Sequence, residues 1–324
     1  MIKAPNKAIG GLTNLYCEAR FWRPTGLGNR LFSWARAKIF SELFGCPMLT
    51  PEWAHLRGAS IVRGGINYSN AHRKILLVDN FIAGKDEIKG WEKFRLRRTC
   101  VTLPVVTLAE AFAASTSAQD NILISFKGNT GHTFDELWMH RELIFSSLNS
   151  ITKNKWFAES GIYQEPFVGI NVRMGNDFKK AAAINDFLTQ PGSYLRTPLS
   201  WYIESLRKTR ELLGFDLKGV VISDGTEKDL RILLSEPNMS LCSSRSAIGD
   251  LMVLIKAKVL LGAGRSSFSA WASFLGQVPT ITIPGSDLQG YHVSNDLKQH
   301  YVGEFYPEDP SIAYRSALNQ MILS

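Results

Sequence analysis

Cysteine and histidine are scarce in this sequence of 324 residues, which has four cysteines and six histidines. The cysteines lie far apart, form no Cys-x-x-Cys pair and have no histidine-rich segment beside them. This spacing disfavours both a zinc site and a disulfide framework. We therefore predict no bound metal ion and reduced, mostly buried thiols.

Long apolar runs are missing as well. No stretch of about 18 uncharged apolar residues occurs, so the sequence predicts no membrane-spanning helix. The N-terminal segment MIKAPNKAIGGLTNLYCEARFW has no apolar stretch before its first charges, which is not typical of a secretion signal. Low-complexity tracts and solenoid-type repeats are absent. These features favour an ordinary folded protein that works in the cytoplasm.

The composition, 45% hydrophobic and 20% charged, is that of a folded chain, and the length suggests two domains. We place the boundary between 1–155 and 156–324. The first part holds 21 Lys and Arg against 12 Asp and Glu, a net charge of +9, whereas the second has 16 against 17, a net charge of −1. The basic excess therefore belongs to the N-terminal domain.

The densest basic stretch is KGWEKFRLRRTC, in which five cations interleave with Trp91 and Phe94. Such a mixture suits an anionic lipid surface, a phosphate-bearing acceptor or nucleic acid. It equally fits a solvated basic face with two aromatic side chains in the core.

Strand and helix patterns alternate along the second half of the chain. Strands are predicted at FVGINVRM, GVVISD, KVLLGAG and PTITIP, with helical patterns between them and after them. In the first half, 29–44 forms an amphipathic helix after the glycine turn GLGN, and short strands are predicted at KILLVDNF, VTLPVVTL and NILISFKG. This alternation predicts an α/β protein with mainly parallel sheets.

In parallel sheets, ligands bind beyond the carboxyl ends of the strands. Arg173 follows the buried strand FVGINV and presents a planar fork of donors suited to phosphate or carboxylate. Arg173 fits equally well as a structural ion-pair partner of Asp177, four residues further on. Asp224 follows the strand GVVIS, where it either accepts from a ribose or sugar hydroxyl or caps the next helix.

A second candidate for anion binding is the turn GAGRSSFS. Its glycines allow close backbone approach, Ser266 and Ser267 offer hydroxyls at a helix start, and Arg265 adds a full charge. Capping of the helix by one of the serines is compatible with this role. Neither this turn nor GLGNR has the third glycine of a dinucleotide fingerprint, and no clear strand pattern precedes GLGNR. A nicotinamide-dependent enzyme is therefore the weaker alternative.

Four segments, in this order, carry a family resemblance: PTGLGNRLFSWARAKIFSELFG, GINVRMGNDFKKA, VVISDGTEKDL and DLMVLIKAKVLLGAGRSSFSAWASFLG. They resemble the GDP-fucose fucosyltransferase superfamily. The first and last are similar to motifs of α1,2-fucosyltransferases, and NVRMGNDFK is similar to the central HxRxGSDWK-like segment of protein O-fucosyltransferases. The resemblance implies a GT-B architecture, with two Rossmann-like domains facing across a cleft. It also implies inverting, metal-independent transfer of fucose from GDP-fucose to a glycan acceptor.

The resemblance also implies roles for individual residues. Arg173 would grip the diphosphate, and Asp250 would lie near the guanine edge. Independently of the resemblance, Asp177 is the nearest candidate in the sequence to help deprotonate the acceptor hydroxyl, unless it holds Arg173 in place instead. The other implied donor contacts are Ser266, Ser267 and Phe268 around the phosphates and nucleoside, and Gly28 and Asn29 from the opposite domain.

The chain departs from the family motifs at three positions. Asn171 stands where histidine is usual, Met174 where the α1,2-enzymes have a second arginine, and Arg265 where many relatives have asparagine. The arginine gained at 265 compensates in charge for the one lost at 174. These changes leave another nucleotide sugar open as the donor.

We expect no cofactor beyond the nucleotide-sugar donor. The basic N-terminal domain fits a lipid-linked glycan acceptor and peripheral contact with the inner membrane surface, as in polysaccharide or O-antigen assembly. Two alternatives are an NAD(P)-dependent Rossmann enzyme and a binding protein for nucleic acid or surfaces that uses 89–98. We do not expect nucleic acid as a partner.

Overall fold

The computed structural model describes residues 14–21, 25–53, 80–116, 121–128, 134–175, 178, 182–190, 195–244, 246–286 and 301–323. These residues divide into two compact units. The first contains the described residues up to 53, 81–128 and 136–152, and the second contains Asn80, 134–135 and the described residues from 153 onward. The predicted boundary after residue 155 stays a prediction.

The first unit has a four-stranded sheet in the order β2-β1-β4-β3, in which every strand pair is parallel. A short 3-10 helix, Trp138–His140, precedes its last helix. The elements are β1 Leu15–Arg20, α1 Leu27–Phe44, β2 Met48–Leu49, α2 Gly90–Thr99, β3 Val101–Val105, α3 Leu108–Thr116, β4 Ile122–Lys127 and α4 Arg141–Ile151.

The second unit has a six-stranded parallel sheet in the order β10-β9-β8-β5-β6-β7. All six residues of β5 are buried, as expected for an inner strand of a parallel sheet. The elements are α5 Asn154–Ser160, β5 Phe167–Val172, α6 Ile184–Thr189, α7 Leu199–Leu213, β6 Lys218–Ser223, α8 Glu227–Leu234, β7 Met239–Leu241, α9 Ala247–Leu254, β8 Val259–Leu261, α10 Ser267–Gly276, β9 Thr280–Thr282, β10 Val302–Glu304 and α11 Ile312–Leu323.

The alternation predicted for the second half is confirmed, as are the strands at VTLPVVTL and NILISFKG. The predicted strand KILLVDNF lies largely outside the described residues. Within the described ranges, no helix combines the length and the apolar surface that crossing a bilayer requires.

Helix α1 starts earlier than its sequence pattern indicates. Gly26 is its extended N-terminal cap, so Gly28 and Asn29 belong to the first turn rather than to a preceding glycine turn. The helix buries two cations. Arg30 donates to the carbonyl of Trp53 at 2.8 Å, and Arg36 pairs with Glu136 at 3.0 Å.

A strand does precede GLGNR, so the prediction that none does was wrong. This strand, β1, carries the carboxylate of Glu18 at its centre, and that side chain is only 1% exposed. Arg97 Nε lies 2.7 Å from Glu18 Oε2, and the hydroxyl of Ser125 donates to Oε1 at 2.9 Å. A charge inside a six-residue strand interrupts the apolar run by which buried strands are identified.

The pair between Glu18 and Arg97 gives a stability test. Arg97→Ala leaves a buried carboxylate whose nearest remaining cation is Arg20, at 3.7 Å. We expect a loss of about 2 kcal/mol in the free energy of unfolding, less than the roughly 3 to 5 kcal/mol for a fully buried pair, because the Arg97 side chain is 24% exposed. Urea denaturation at neutral pH measures it.

Arg98→Ala is the matched control, because Arg98 is exposed on the same helix and should change stability by less than about 0.5 kcal/mol. Adding Glu18→Gln to Arg97→Ala should recover part of the loss, since it removes the uncompensated charge. Equal stability of the Arg97→Ala and Arg98→Ala proteins would contradict this account of β1.

Candidate functional site

The candidate site lies at the carboxyl ends of three adjacent strands of the second unit. Strand β5 lies between β6 and β8 in the sheet. Arg173 follows β5 directly, Asp224 follows β6, and the turn 262–266 follows β8. Because the strands are parallel, these three segments emerge at the same edge.

Arg173 pairs with Asp224 across the ends of β5 and β6. Its Nε lies 3.3 Å from Asp224 Oδ2, while Oδ1 accepts from the backbone N–H of Met174 at 2.7 Å. The guanidinium carbon lies 5.1 Å from the ring centre of the buried Phe178. The Arg173 side chain remains 29% exposed, so it is fixed on one side and accessible on the other.

Two glycines allow this close approach. A Cβ at Gly175 would lie 3.2 Å from Asp224 Oδ2, and one at Gly225 would lie 2.8 Å from Met174 Cγ. Both positions therefore favour glycine because the two loops lie against each other. The signal was present in the sequence as a glycine soon after each strand, but only the structure shows what each one approaches.

Asp224 does not cap the following helix, so that alternative was wrong. Thr226 caps α8, and its hydroxyl accepts from the backbone N–H of Asp229. The other candidate partner of Arg173, Asp177, lies outside the described residues. Its roles stay predictions.

Asn171, near the end of β5, connects this strand to the start of α10. Its side chain is 2% exposed, and its Nδ2 donates to the hydroxyls of Ser266 at 3.2 Å and Ser269 at 2.7 Å. Its carbonyl accepts from the Tyr202 hydroxyl at 2.9 Å. Burial raises the pKa of Tyr202 well above its ordinary value, so the phenol stays a neutral donor.

The turn after β8 presents the N-terminus of α10. Ser266 is the cap, accepting from the backbone N–H of Ser269, and Arg265 adopts a left-handed conformation with φ 56°. Within the described part of the chain, no acceptor takes the N–H groups of Ser267 and Phe268, the first two of the helix. These groups carry the partial positive charge that attracts anions to helix N-termini.

A cavity of about 360 Å³ lies beside the loop that follows Arg173. Met174, which follows Arg173, lines it, and so does Thr197, whose hydroxyl lies 3.5 Å from the backbone N–H of Gly264. No sequence motif marks this wall. The other lining residues are Ala182, Arg196, Pro198, Leu199 and Asp229.

Three predicted site residues belong to elements other than these three segments. Asp250 is in the first turn of α9 and is only 3% exposed. Gly28 and Asn29 belong to the first unit, in α1. Their roles stay predictions. Among the residues that the structure describes, no group of three His, Cys, Asp or Glu side chains is placed to hold a metal ion.

The two serines at the start of α10 provide a matched test of this network. Ser266→Ala removes the helix cap and an acceptor of Asn171, so we expect a loss of about 1 to 2 kcal/mol in unfolding free energy. Ser267→Ala removes a half-buried hydroxyl that is not the cap and should cost less than about 0.5 kcal/mol. Chemical denaturation of the two variants measures the difference, and equal losses would contradict the assignment of the cap.

The chain matches no family model and no curated protein. Among solved structures it is similar to fucosyltransferase NodZ from Bradyrhizobium, at 16% identity and a TM-score of 0.50, over 84% of this chain and 96% of that one. It is also similar to Arabidopsis thaliana FUT1 in complex with GDP, at 14% identity and 0.46, over 83% and 70%. POFUT1 in complex with GDP gives 10% identity and 0.46, over 84% and 99%.

At this level of identity, the likeness to NodZ concerns the fold. The prediction of an α/β protein with two parallel sheets, similar to GT-B, is confirmed. The sequence motifs resemble those of fucosyltransferases, and the fold is one that the fucosyltransferase NodZ shares. The chain therefore has a GT-B-like α/β fold, similar to that of NodZ.

Proposed function

We propose that this protein is a glycosyltransferase that transfers fucose from GDP-fucose to a glycan acceptor, with inversion and without a metal ion. The observation that carries the proposal is that Asn171 joins the strand leading to Arg173 directly to the N-terminus of α10. A guanidinium and the first amides of a helix thereby lie at neighbouring strand ends. The fold shared with NodZ agrees with the proposal.

The chemistry follows from where charge develops. As the bond between the anomeric carbon and the phosphate oxygen breaks, the sugar becomes oxocarbenium-like and the leaving diphosphate gains negative charge. Fixed donors aimed at that charge lower the barrier without reorganising during the reaction. Arg173 supplies a full charge and a planar fork, and the N–H groups of Ser267 and Phe268 supply a helix N-terminus.

Asp224 acts in this proposal as a positioning residue. Its carboxylate pairs with Nε of Arg173, which leaves the two terminal nitrogens to bind the diphosphate as a fork. The cost is a negative charge close to an anionic ligand. Arg265, directly before the cap of α10, offsets that charge. It also supplies the positive charge that the α1,2-fucosyltransferase motif has at the position of Met174.

The cavity beside Met174 and Thr197 is the candidate volume for part of the donor, with Arg196 and Asp229 as its polar groups. The choice of fucose rests on the motif resemblance, so another nucleotide sugar remains the alternative. Incubation with a panel of nucleotide sugars, followed by measurement of released nucleotide, distinguishes them. Turnover fastest with GDP-fucose is the expected result.

The proposed acceptor follows from the sequence motifs and from the charge of the first domain. The first and last sequence motifs favour an α1,2 linkage. The basic first domain favours a lipid-linked glycan of the kind used in polysaccharide or O-antigen assembly. Asp177 is the proposed base, because Asp224 already meets the structural need for an acid beside Arg173.

Arg173→Ala is the direct test. We expect GDP release from GDP-fucose to fall by about 10² to 10³, the usual effect of losing one donor to developing charge, while the circular dichroism spectrum stays unchanged. Arg207→Ala is the control, since Arg207 lies on α7 of the same unit and pairs with Glu236 at the surface. Near-full turnover by the Arg173→Ala protein would reject the assignment.

Arg265 tests whether its charge contributes to binding. Because its φ is 56°, Arg265→Gly removes the guanidinium while keeping a backbone conformation that glycine adopts readily, whereas Arg265→Ala also strains the turn. We expect both variants to bind GDP about tenfold more weakly in calorimetry, as for one charged hydrogen bond. Wild-type affinity in the glycine variant, with a loss in the alanine variant, would show that the turn rather than the charge matters.

A further inference from the structure

Helix α2 turns an unusual set of side chains to solvent. Trp91, Phe94, Arg95 and Arg98 follow the i, i+3, i+4, i+7 spacing that puts residues on one helix face, and all four are exposed. The exposed fraction reaches 76% for Trp91 and 47% for Phe94. Of the ten residues in this helix, only Leu96 is buried.

The cations of α2 fall into two groups. On the inner side, Lys93 lies 3.3 Å from Glu52, and Arg97 pairs with Glu18 and Glu52. The exposed Lys89, Arg95 and Arg98 form no ion pair with any described residue. The protein therefore neutralises the charges that face inward and leaves the outer ones available to an anionic partner.

The two exposed rings lie against each other, with centroids 5.3 Å apart and planes 31° apart. The guanidinium of Arg98 lies over the Phe94 ring, 5.4 Å from its centre. The result is a compact aromatic pair bordered by cations. The one acidic side chain on the helix, Glu92, is exposed but does not belong to this spacing.

We propose that this outer face of α2, formed by Trp91, Phe94, Arg95 and Arg98 with Lys89 at its N-terminal cap, docks on an anionic lipid bilayer. Indole and phenyl rings insert at the level of the headgroups, where an amphipathic ring is favoured. Each nearby Lys or Arg adds attraction to anionic lipids. This proposal gives a definite site to the peripheral contact expected from the basic first domain, and it does not depend on the identity of the sugar donor.

A bilayer fits this face better than a nucleic acid does. Base stacking requires open ring faces, and Phe94 already has Arg98 over its ring and Trp91 beside it, so of the two rings Trp91 alone is open to a base. Insertion at an interface requires only that the pair be exposed and apolar and that cations surround it. The arrangement meets both conditions.

Flotation with lipid vesicles tests the proposal. The wild-type protein should bind vesicles of equimolar phosphatidylcholine and phosphatidylglycerol at low salt and should not bind pure phosphatidylcholine vesicles. Arg95→Glu with Arg98→Glu should lower the partition coefficient at least about tenfold, since two attractive charges become repulsive. Trp91→Ala should lower it several-fold while leaving its salt dependence unchanged, because it removes apolar contact only.

The matched control is Lys228→Glu with Arg231→Glu on α8, which changes the net charge equally at two other exposed positions. It should retain vesicle binding within about twofold, as expected if the outer face of α2 and not the total charge determines binding. Equal losses in both double variants, or unchanged binding in the α2 variant, would overturn the proposal. Tighter binding to a single-stranded oligonucleotide than to the vesicles would also overturn it. No donor is needed in these assays, so their result is separate from that of the transferase test.

Discussion

The candidate site depends on one buried amide. Nδ2 of Asn171 reaches the hydroxyls of both Ser266 and Ser269, and the same Ser266 hydroxyl caps α10. Since all three side chains are buried, each polar atom left without a partner would carry a desolvation cost. These hydrogen bonds therefore favour a single position of strand β5 relative to the start of helix α10. Arg173 lies two residues beyond Asn171, so these hydrogen bonds also fix where the Arg173 backbone lies relative to the first N–H groups of α10.

Both units hold cations next to carboxylates, with different consequences. In the first unit, Glu18 is buried within a strand and meets Arg97 from helix α2, so the pair ties a helix to the sheet. In the second unit, Asp224 meets Arg173 at the sheet edge, where both side chains are about one quarter exposed. The first pair has little room for a ligand. The second orients an arginine that solvent, and therefore a ligand, still reaches.

Sequence patterns predicted most strands and helices of the second unit, but they missed several shorter helices, including α4, although its apolar residues face inward. The inner strands β5, β6 and β8 are mostly apolar, as inner strands of a parallel sheet are. Two other elements were missed because their residues break the expected apolar pattern. Strand β1 was missed because Glu18 interrupts its run, and helix α2 because its aromatic residues point outward. Within the site, motifs identified Arg173 and Ser266. The Arg173–Asp224 pair joins positions 51 residues apart in number and Tyr202–Asn171 joins positions 31 apart, so no local pattern reports them.

Asparagine stands at position 171 where the similar motifs have histidine. This difference affects both the hydrogen bonds to α10 and their dependence on pH. A neutral imidazole has a single N–H to donate, whereas an amide nitrogen has two, and Asn171 uses its nitrogen toward two serines at once. An amide also does not titrate, while histidine changes charge near neutral pH. The connection between β5 and α10 is therefore independent of pH in this chain. Positive charge for an anionic ligand then comes from the guanidinium groups of Arg173 and Arg265.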